Sequence, residues 1–441
     1  MVFRSLSRRF AMTVGLATLA ISQSQFSAGQ SATWGKFQNG GQPYSAESKL
    51  PIEWSPEENI AWTADITGYG QSTPVIAHGL IVVTSTSGDN KDEYHVSAYD
   101  VESGKKAWEV TRKNPSPFKN SPMVSRAAPS AIATKTGFAA FFEGGLLLSL
   151  DGEGNVAWEQ DLVAKHGKIE ARHGLAASLE QDDQRLYVWV ERSQDPYVLA
   201  VNPETGEQIW RAAGVGTTSW SSPRLVPVGD GAHLVCSASG KIVGLDPATG
   251  ERLWEFDKIS NNSSCTPMPV GNGQFFIGAS DGRGAQTPGA AAESNGLVQI
   301  TKHGEGSFVA DYKWQAAKAT STFGSPVIAG DTAAIVTRAG VLYRLDLKTG
   351  EKVSAGRIDA GGIWATPIVS GDKLYIFGYK GTTSVVSLAD GKEIASNRCW
   401  DATGPGGKTP GFGGGNVLYA AAIAGDRLII RRGDKMYAIG K

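Results

Sequence analysis

The chain has 441 residues, with 42 basic and 43 acidic side chains, and its pI is near 6.6. This balance argues against a nucleic-acid partner held through phosphate charges. Length alone would suggest two or three domains. A repeat that runs along the chain predicts a single closed domain instead, because each repeated unit needs neighbours to bury its faces.

The N-terminus has the pattern of a secretory signal. Three arginines (Arg4, Arg8 and Arg9) precede an apolar run over residues 10–21, and small residues follow as far as Gly29. The run is too short to span a bilayer as a mature helix. We therefore predict a signal peptide over 1–29 and a periplasmic or secreted mature chain without a transmembrane segment. An uncleaved membrane anchor is the alternative.

Residues 30–53 are interpreted as a lead-in segment, and 54–441 as the repeat domain. Inside that domain, small residues and a proline open a series of strands about 49 residues apart on average, a period typical of propellers with four strands per blade. Proline suits a strand start because its missing N–H falls outside the hydrogen-bonded ladder. The prolines are Pro74, Pro129, Pro223, Pro267, Pro326 and Pro367. Starts without proline lie at 174–178 and near 415–417.

A second mark, the pattern Asp-x-x-x-Gly-x-x-x-Trp, recurs between strand starts, as in Asp246, Gly250 and Trp254. It has asparagine in place of aspartate at Asn202, and it is one residue tighter from Asp151 to Trp158. The aspartate caps a turn, the glycine takes the left-handed conformation, and the tryptophan lies on the next strand with a large apolar face to bury. These aspartates are therefore turn residues rather than catalytic acids. The unit that begins at Asp346 keeps the turn but lacks the tryptophan.

Counting both marks predicts an all-β fold, an eight-bladed β-propeller of four-stranded antiparallel blades. The first tryptophan strand, around Trp62, has no strand start before it, and the last unit, 417–440, has three apolar runs and no outer strand. We predict that the N-terminal strand completes the last blade, because closure removes exposed strand edges.

The segment Gly244-Leu-Asp-Pro-Ala-Thr-Gly-Glu-Arg-Leu-Trp254 resembles the PQQ-like repeat. That family includes eight-bladed quinoprotein dehydrogenases and the propeller lipoprotein of the outer-membrane β-barrel assembly machinery. The resemblance covers 54–440, and the segment from Trp34 to Gly40 is similar to the start of secreted bacterial members. It implies the fold. It would also imply PQQ and calcium, but the adjacent cysteines, acidic base and calcium ligands of the dehydrogenases have no match here, so we expect no cofactor and no metal.

The first strand of each propeller blade lines the central channel, so aligned strand starts should project toward one mouth. The aligned positions hold mostly large, aromatic or basic residues. Packing between blades would explain the aromatic members equally well, whereas arginine and histidine favour an exposed rim. The predicted binding residues are Gln71, Arg126, His173, Trp220, Ser264, Phe323, Trp364 and Phe412.

The cysteines, one insertion and one acidic segment give three further expectations. Cys236, Cys265 and Cys399 are expected to be buried strand residues, with a bond between the first two left open. The insertion 278–296 suits a binding loop or a flexible spacer equally. The acidic residues from Glu180 to Asp183 are expected to form a solvated turn.

The sequence favours a monomeric, non-enzymatic propeller that binds a peptide, a protein or a cell-envelope polymer at the channel mouth. A PQQ-dependent quinoprotein oxidoreductase is the alternative. A sugar-binding propeller that uses the aromatic ring is the second alternative.

Overall fold

The computed structural model describes Met1 and residues 34–44, 49–121, 124–281, 289–304, 306–316, 319–321, 323–401 and 420–441. Chain contacts divide into a unit over Met1–Ser31 and a unit over Ala32–Lys441, and the fold below is that of the second unit.

In the described residues, thirty-two strands form eight four-stranded antiparallel sheets, which are the eight blades that the repeat predicts. The first strand, β1 (Ile60–Asp65), belongs to the last blade. Blade 1 contains β2 (Val75–Ala77), β3 (Leu80–Ser87), β4 (Glu93–Asp100) and β5 (Lys106–Lys113). Blade 2 contains β6 (Ile132–Ala133), β7 (Gly137–Phe141), β8 (Leu146–Asp151) and β9 (Val156–Asp161). Blade 3 contains β10 (Glu180–Gln181), β11 (Leu186–Val190), β12 (Tyr197–Val201) and β13 (Gln208–Ala213). Blade 4 contains β14 (Arg224–Val228), β15 (Gly231–Ala238), β16 (Lys241–Leu245) and β17 (Arg252–Phe256).

The second half repeats this order. Blade 5 contains β18 (Met268–Gly271), β19 (Gln274–Ile277), β20 (Gly296–Lys302) and β21 (Phe308–Gln315). Blade 6 contains β22 (Val327–Ala329), β23 (Thr332–Val336), β24 (Val341–Asp346) and β25 (Lys352–Arg357). Blade 7 contains β26 (Ile368–Ser370), β27 (Lys373–Phe377), β28 (Thr382–Ser387) and β29 (Glu393–Arg398). Blade 8 contains β30 (Ala420–Ala424), β31 (Arg427–Arg432), β32 (Lys435–Ile439) and β1. The described helices are α1 (Leu162–His166) and two 3₁₀ turns, Phe37–Gly41 and Ala290–Glu293.

The predicted closure is confirmed. β1 pairs antiparallel with β32, with Thr63 opposite Tyr437, so the start and the end of the ring share one blade. Before β1, the backbone N–H of Trp54 donates to Asn397 of blade 7 at 2.9 Å. The amide of Asn397 in turn donates to the carbonyl of Ile52 at 2.8 Å. The junction of the chain ends is thus fixed on both sides by long-range contacts.

Five of the repeated tryptophans join their own blade to the next one. At five junctions the indole Nε1 donates to a turn carbonyl of the following blade at 2.8–3.1 Å, and the ring lies against that turn's glycine. At Gly250, a Cβ atom would lie 2.6 Å from the ring of Trp210, and φ is +77°, so both space and conformation require glycine. The tryptophans are Trp62, Trp108, Trp158, Trp210 and Trp314.

The turn chemistry is also as expected. The carboxylate of Asp246 accepts the backbone N–H groups of Ala248 at 2.6 Å and Thr249 at 3.0 Å, and Gly250 closes the turn by donating to the carbonyl of Asp246. Side-chain and backbone hydrogen bonds of this kind hold the pKa of Asp100 and Asp151 below the usual range.

Blade 6 exchanges the large and small residues that lie opposite each other at the tryptophan junctions. In blade 3, Trp210 of the fourth strand lies opposite Ala200 of the third strand, whereas in blade 6 Ser354 of the fourth strand lies opposite Arg344 of the third strand. Arg344 donates to Ser354 Oγ at 3.2 Å and to the carbonyl of Ala389 in blade 7 at 3.1 Å. An arginine from the third strand therefore makes the contact to the next blade that a tryptophan from the fourth strand makes elsewhere.

Candidate binding site at the channel mouth

A chain of hydroxyl side chains surrounds the central channel at the start of the inner strands. Each backbone N–H in the series donates to the hydroxyl of the next blade at 2.9–3.0 Å, from blade 1 to blade 7. This hydroxyl girdle consists of Thr73, Ser130, Ser178, Ser222, Thr266, Ser325 and Thr366. Its six bonds satisfy one buried N–H in each of blades 1–6 and fix the relative height of seven blades.

The girdle corrects the alignment of two strand starts. In blades 1 and 4–7 the proline follows the girdle hydroxyl, but in blade 2 Pro129 precedes Ser130. Ala128 and Ala176, rather than Arg126 and His173, are therefore the equivalents of Gln71. The proline marks the vicinity of a strand start without fixing its register, because only the side-chain hydrogen bond depends on a particular residue.

Arg126 and His173 nevertheless lie at the mouth. Arg126 is buried at 4 % exposure, and its guanidinium lies over the ring of Tyr69, 3.8 Å from the centroid. The expectation of an exposed rim was wrong for Arg126, because the Tyr69 ring covers its guanidinium. Its backbone N–H donates to the amide oxygen of Gln71 at 2.9 Å. The carbonyl of His173 accepts from the N–H of Ser125 at 2.7 Å. The mouth residues of blades 1, 2 and 3 are thus linked in sequence.

Two aromatic groups continue the mouth. The rings of His173 and Trp220 lie 6.0 Å apart across blades 3 and 4. Phe323 meets Trp364 edge to face at 5.5 Å, and Trp364 stacks on Tyr379 at 5.4 Å. Phe323 is 38 % exposed, which makes it one of the most exposed large apolar side chains described.

Seven of the eight predicted residues therefore lie around one mouth, with Ser264 and Phe323 on the wall of one cavity. Phe412 lies outside the described residues. Their role in binding stays a prediction.

Buried charges support the backbone behind this rim. Lys91 is fully buried, donates to Glu143 at 3.1 Å and to the carbonyl of Ser125 at 2.8 Å, and burial lowers its pKa. Both oxygens of Glu143 accept from the N–H of Ala127 at 3.1 Å. Breaking a buried pair of this kind is costly because one charge stays unpaired, so these residues hold the loop that presents Arg126.

The opposite end of the channel is closed by residues 34–44, which we call the plug. Trp34 pairs with Ile76 of blade 1, and the carbonyl of Gly35 accepts from the N–H of Ala133 in blade 2 at 2.7 Å. At the far end, the N–H of Tyr44 donates to Val369 of blade 7 at 3.0 Å, and its hydroxyl accepts from Gly425 of blade 8 at 3.1 Å. In the sequence of each blade that has a girdle residue, these partners of the plug come after that residue, whereas the mouth residues come before it. The plug and the mouth residues therefore lie at opposite ends of the inner strands.

The middle of the plug is held by charges. Lys36 Nζ lies 2.5 Å from Glu180, and Arg224 lies 3.4 Å from the other oxygen of the same carboxylate. Arg224 also donates to the carbonyl of Phe37 and to the side chain of Gln38 at 3.2 Å. Burial lowers the pKa of Arg224, and the charge of Glu180 opposes that shift. The expectation of a solvated turn was wrong for Glu180, which is 1 % exposed, because a distant part of the chain supplies its partner.

Gln38 reaches back to the girdle, where its amide donates to Thr366 at 2.7 Å and to Ser325 at 3.2 Å. Gln38 and Asn39 have φ of +54° and +51°, a conformation that non-glycine residues adopt rarely and keep where contacts determine it. Sequence reasoning missed the plug, since its partners in blades 3 and 4 carry no repeat signal. A cavity of about 110 Å³ lies in the channel between the mouth residues Phe323 and Trp364 and the plug.

A family model described as outer membrane protein assembly factor BamB matches residues 35–189 and 194–436 of this chain. The chain belongs to this family. BamB of Shewanella oneidensis is 24 % identical over 344 residues, which cover 78 % of this chain and 67 % of that protein. BamB of Bordetella pertussis is 28 % identical over 117 residues, which cover 26 % of this chain and 27 % of that protein.

This chain shares its fold with solved structures of BamB and of dehydrogenases alike. BamB from Moraxella catarrhalis aligns with a TM-score of 0.56 at 14 % identity, over 86 % of this chain and 96 % of that one. The quinohemoprotein alcohol dehydrogenase from Comamonas testosteroni aligns with a TM-score of 0.57 at 12 % identity, over 92 % and 80 %. At such identities the likeness shows the PQQ-like propeller fold alone.

The described residues of this BamB-family chain do not fit PQQ with calcium. Cys236, Cys265 and Cys399 are separate and buried, none of the three is in a disulfide bond, and burial raises the thiol pKa of Cys265 to about 12. Within the described ranges, no group of three or more histidine, cysteine or acidic side chains is arranged to hold a metal ion. All three cysteines are buried as expected, but only Cys236 lies on a strand, β15, whereas Cys265 precedes β18 and Cys399 follows β29. No described helix is long and apolar enough to cross a membrane.

The described ends of the insertion 278–296 are anchored. Asn295 accepts from the N–H groups of Ala279 at 2.9 Å and Ser321 at 3.1 Å, and its amide donates to the carbonyl of Ala291 at 2.6 Å. The carboxylate of Asp281 accepts from Asn261 at 2.8 Å. Residues 282–288 lie outside the described part of the chain, and the choice between binding loop and spacer stays open.

Proposed function

We propose that this chain is an exported, non-enzymatic propeller that binds a protein partner in outer-membrane assembly at its channel mouth. Membership of a family described as an assembly factor supports the class of function. The basic and apolar start of the sequence supports export to the periplasm. The near-zero net charge argues against nucleic acid as the partner.

The contrast between the two channel ends carries the proposal. The plugged end is filled by the chain's own residues, whereas the mouth presents Phe323, Trp364 and Tyr379 on one side and Trp220 with His173 on the other. Aromatic side chains and arginine are enriched at the centres of protein interfaces. Because the girdle fixes the inner strands, these groups are presented with little loss of conformational entropy on binding.

Site-specific photo-crosslinking from two exposed lysines tests this proposal. Lys380 lies in the turn between β27 and β28 at the mouth, with its Nζ 6.0 Å from the ring centroid of Tyr379, and Lys348 lies in an Asp-Gly turn at the opposite face. We expect a photoreactive residue at 380, in cells, to form a discrete adduct with one envelope protein. The same residue at 348 should form none.

Equal adducts from both positions, or none from either, would contradict a binding mouth. The oxidoreductase alternative has its own measurement, reduction of an artificial electron acceptor with alcohols or aldose sugars after addition of PQQ and calcium. We expect no turnover that requires both additions, because no described residues match the cofactor and metal sites. Robust turnover that depends on both would replace the proposal.

A further inference from the structure

The cavity between the mouth and the plug is lined by uncharged side chains among the described residues. They combine aromatic rings with amides and hydroxyls. Phe323 and Trp364 form the wall near the mouth, and Trp34 and Phe37 of the plug lie at the floor. The nearby charges of Lys36, Glu180 and Arg224 are turned toward one another and toward backbone carbonyls. A charged group that entered the cavity would lose water without gaining a counter-charge from these described residues.

Hydrogen-bonding capacity lies between wall and floor. Thr366 Oγ1 accepts from the N–H of Ser325 at 3.0 Å and from the amide of Gln38 at 2.7 Å. Two donors occupy its lone pairs, so the hydroxyl offers its proton to an acceptor in the cavity. A ligand with an apolar ring and one uncharged oxygen matches this combination better than a wholly apolar ligand.

The wall suits a flat ring. Phe323 and Trp364 already meet edge to face, and Trp364 is fixed from behind by stacking on Tyr379 at 5.4 Å. A third ring that enters from the mouth adds a further stacked or edge-to-face contact, the geometries that aromatic pairs prefer. The cavity of about 110 Å³ has room for one such group and not for a folded segment of chain.

We infer that the cavity binds a single uncharged aromatic side chain of the partner polypeptide, with tyrosine preferred. Its ring packs against Phe323 and Trp364, and its phenol oxygen accepts the proton of Thr366. The inference rests on the proposed function, because it takes the partner to be a polypeptide. It also specifies which type of partner side chain occupies the cavity, which the area and shape of an interface alone do not determine.

Small probes measured by ligand-observed NMR on the mature protein test the inference. N-acetyltyrosinamide and p-cresol should bind, toluene should bind several-fold more weakly, and benzoate at least tenfold more weakly. Phe323→Ala should weaken p-cresol at least tenfold with little change in melting temperature, because Phe323 is 38 % exposed. Ile209→Ala, an exposed apolar change on β13 (45 % exposed), should leave probe binding unchanged.

Three results would overturn the inference. They are binding of no probe, binding of p-cresol that Phe323→Ala leaves intact, and binding of methyl glucoside in preference to p-cresol, which would indicate a sugar site. The photo-crosslinked adduct from position 380 distinguishes a failure of this inference from a failure of the proposed function. An adduct without probe binding removes the aromatic anchor and keeps the proposed function, whereas probe binding without an adduct keeps the anchor chemistry and removes the partner.

Discussion

The outer ring and the axis of this propeller are built by opposite rules. In the outer ring the same residues recur, and five tryptophans contact the next blade through one geometry. Beyond the girdle, along the axis, equivalent positions differ from blade to blade, from Gln71 through Trp220 to Phe323. In a ring of repeats, uniform residues serve the contacts that every blade needs. Residues that vary at equivalent positions can build a site that occurs once.

The largest loss of stability should come from deleting the N-terminal segment, which contacts the central channel and supplies the outer strand of the last blade. Deletion of residues 33–66 removes the plug, Trp54 and β1 together, and leaves blade 8 with an open edge. We expect aggregation or loss of a cooperative melting transition. A chain that begins at residue 32, where the second unit begins, should melt normally. A deleted protein that remains monomeric with an unchanged melting temperature would refute the closure as a source of stability.

A single tryptophan of the outer ring should matter more than any single mouth residue. Trp210 is 8 % exposed and donates to Pro247 at 3.0 Å. We expect Trp210→Ala to lower the free energy of unfolding by about 3–5 kcal/mol, measured by denaturant titration. A loss below that of Trp364→Ala would break the distinction between the two regions.

Blade 6 allows the outer-ring rule to be tested by exchange. Arg344→Ala should cost about 1–3 kcal/mol, because it removes the contacts to Ser354 and Ala389. Ser354→Trp should cost a similar amount by crowding Arg344. The double variant restores the alanine–tryptophan pair of blade 3 and should recover about 1 kcal/mol or more relative to additivity. Strict additivity would contradict the equivalence of the two pairs.

Unlike the five junction tryptophans, Trp254 bonds within its own blade, and this gives a smaller, pH-dependent effect. Its Nε1 donates to His233 Nδ1 at 3.0 Å, and burial lowers the pKa of His233. The neutral imidazole therefore stabilises the fold above the unfolded pKa of about 6.5, and that stability is lost as the pH falls through the lower folded pKa. His233→Gln should flatten this part of the profile, measured by melting between pH 7.5 and 5. An unchanged profile would assign the acid sensitivity to other groups.

The sequence predicted the outer ring well because the Asp-Gly-Trp pattern is local. Asp246 caps its own turn and Trp254 follows on the next strand, so short spacing carries the information. The closure through Trp62 followed from counting strands. Glu180 and Arg224 were beyond such reasoning, since their partner is the plug, more than 140 residues away in the chain. Arg126 was predicted from the aligned prolines and His173 from a strand start without proline, and the girdle shifts these two starts by two and three residues.

The most direct test of the central claim, that the mouth binds a protein partner while the outer ring holds the fold, uses the adduct from position 380 in a Trp220→Ala, Trp364→Ala background. Both side chains are only partly buried at the rim. The account predicts that the adduct is lost while the free energy of unfolding changes by less than about 1 kcal/mol. An adduct that persists, or one that disappears only together with several kcal/mol of stability, would contradict it.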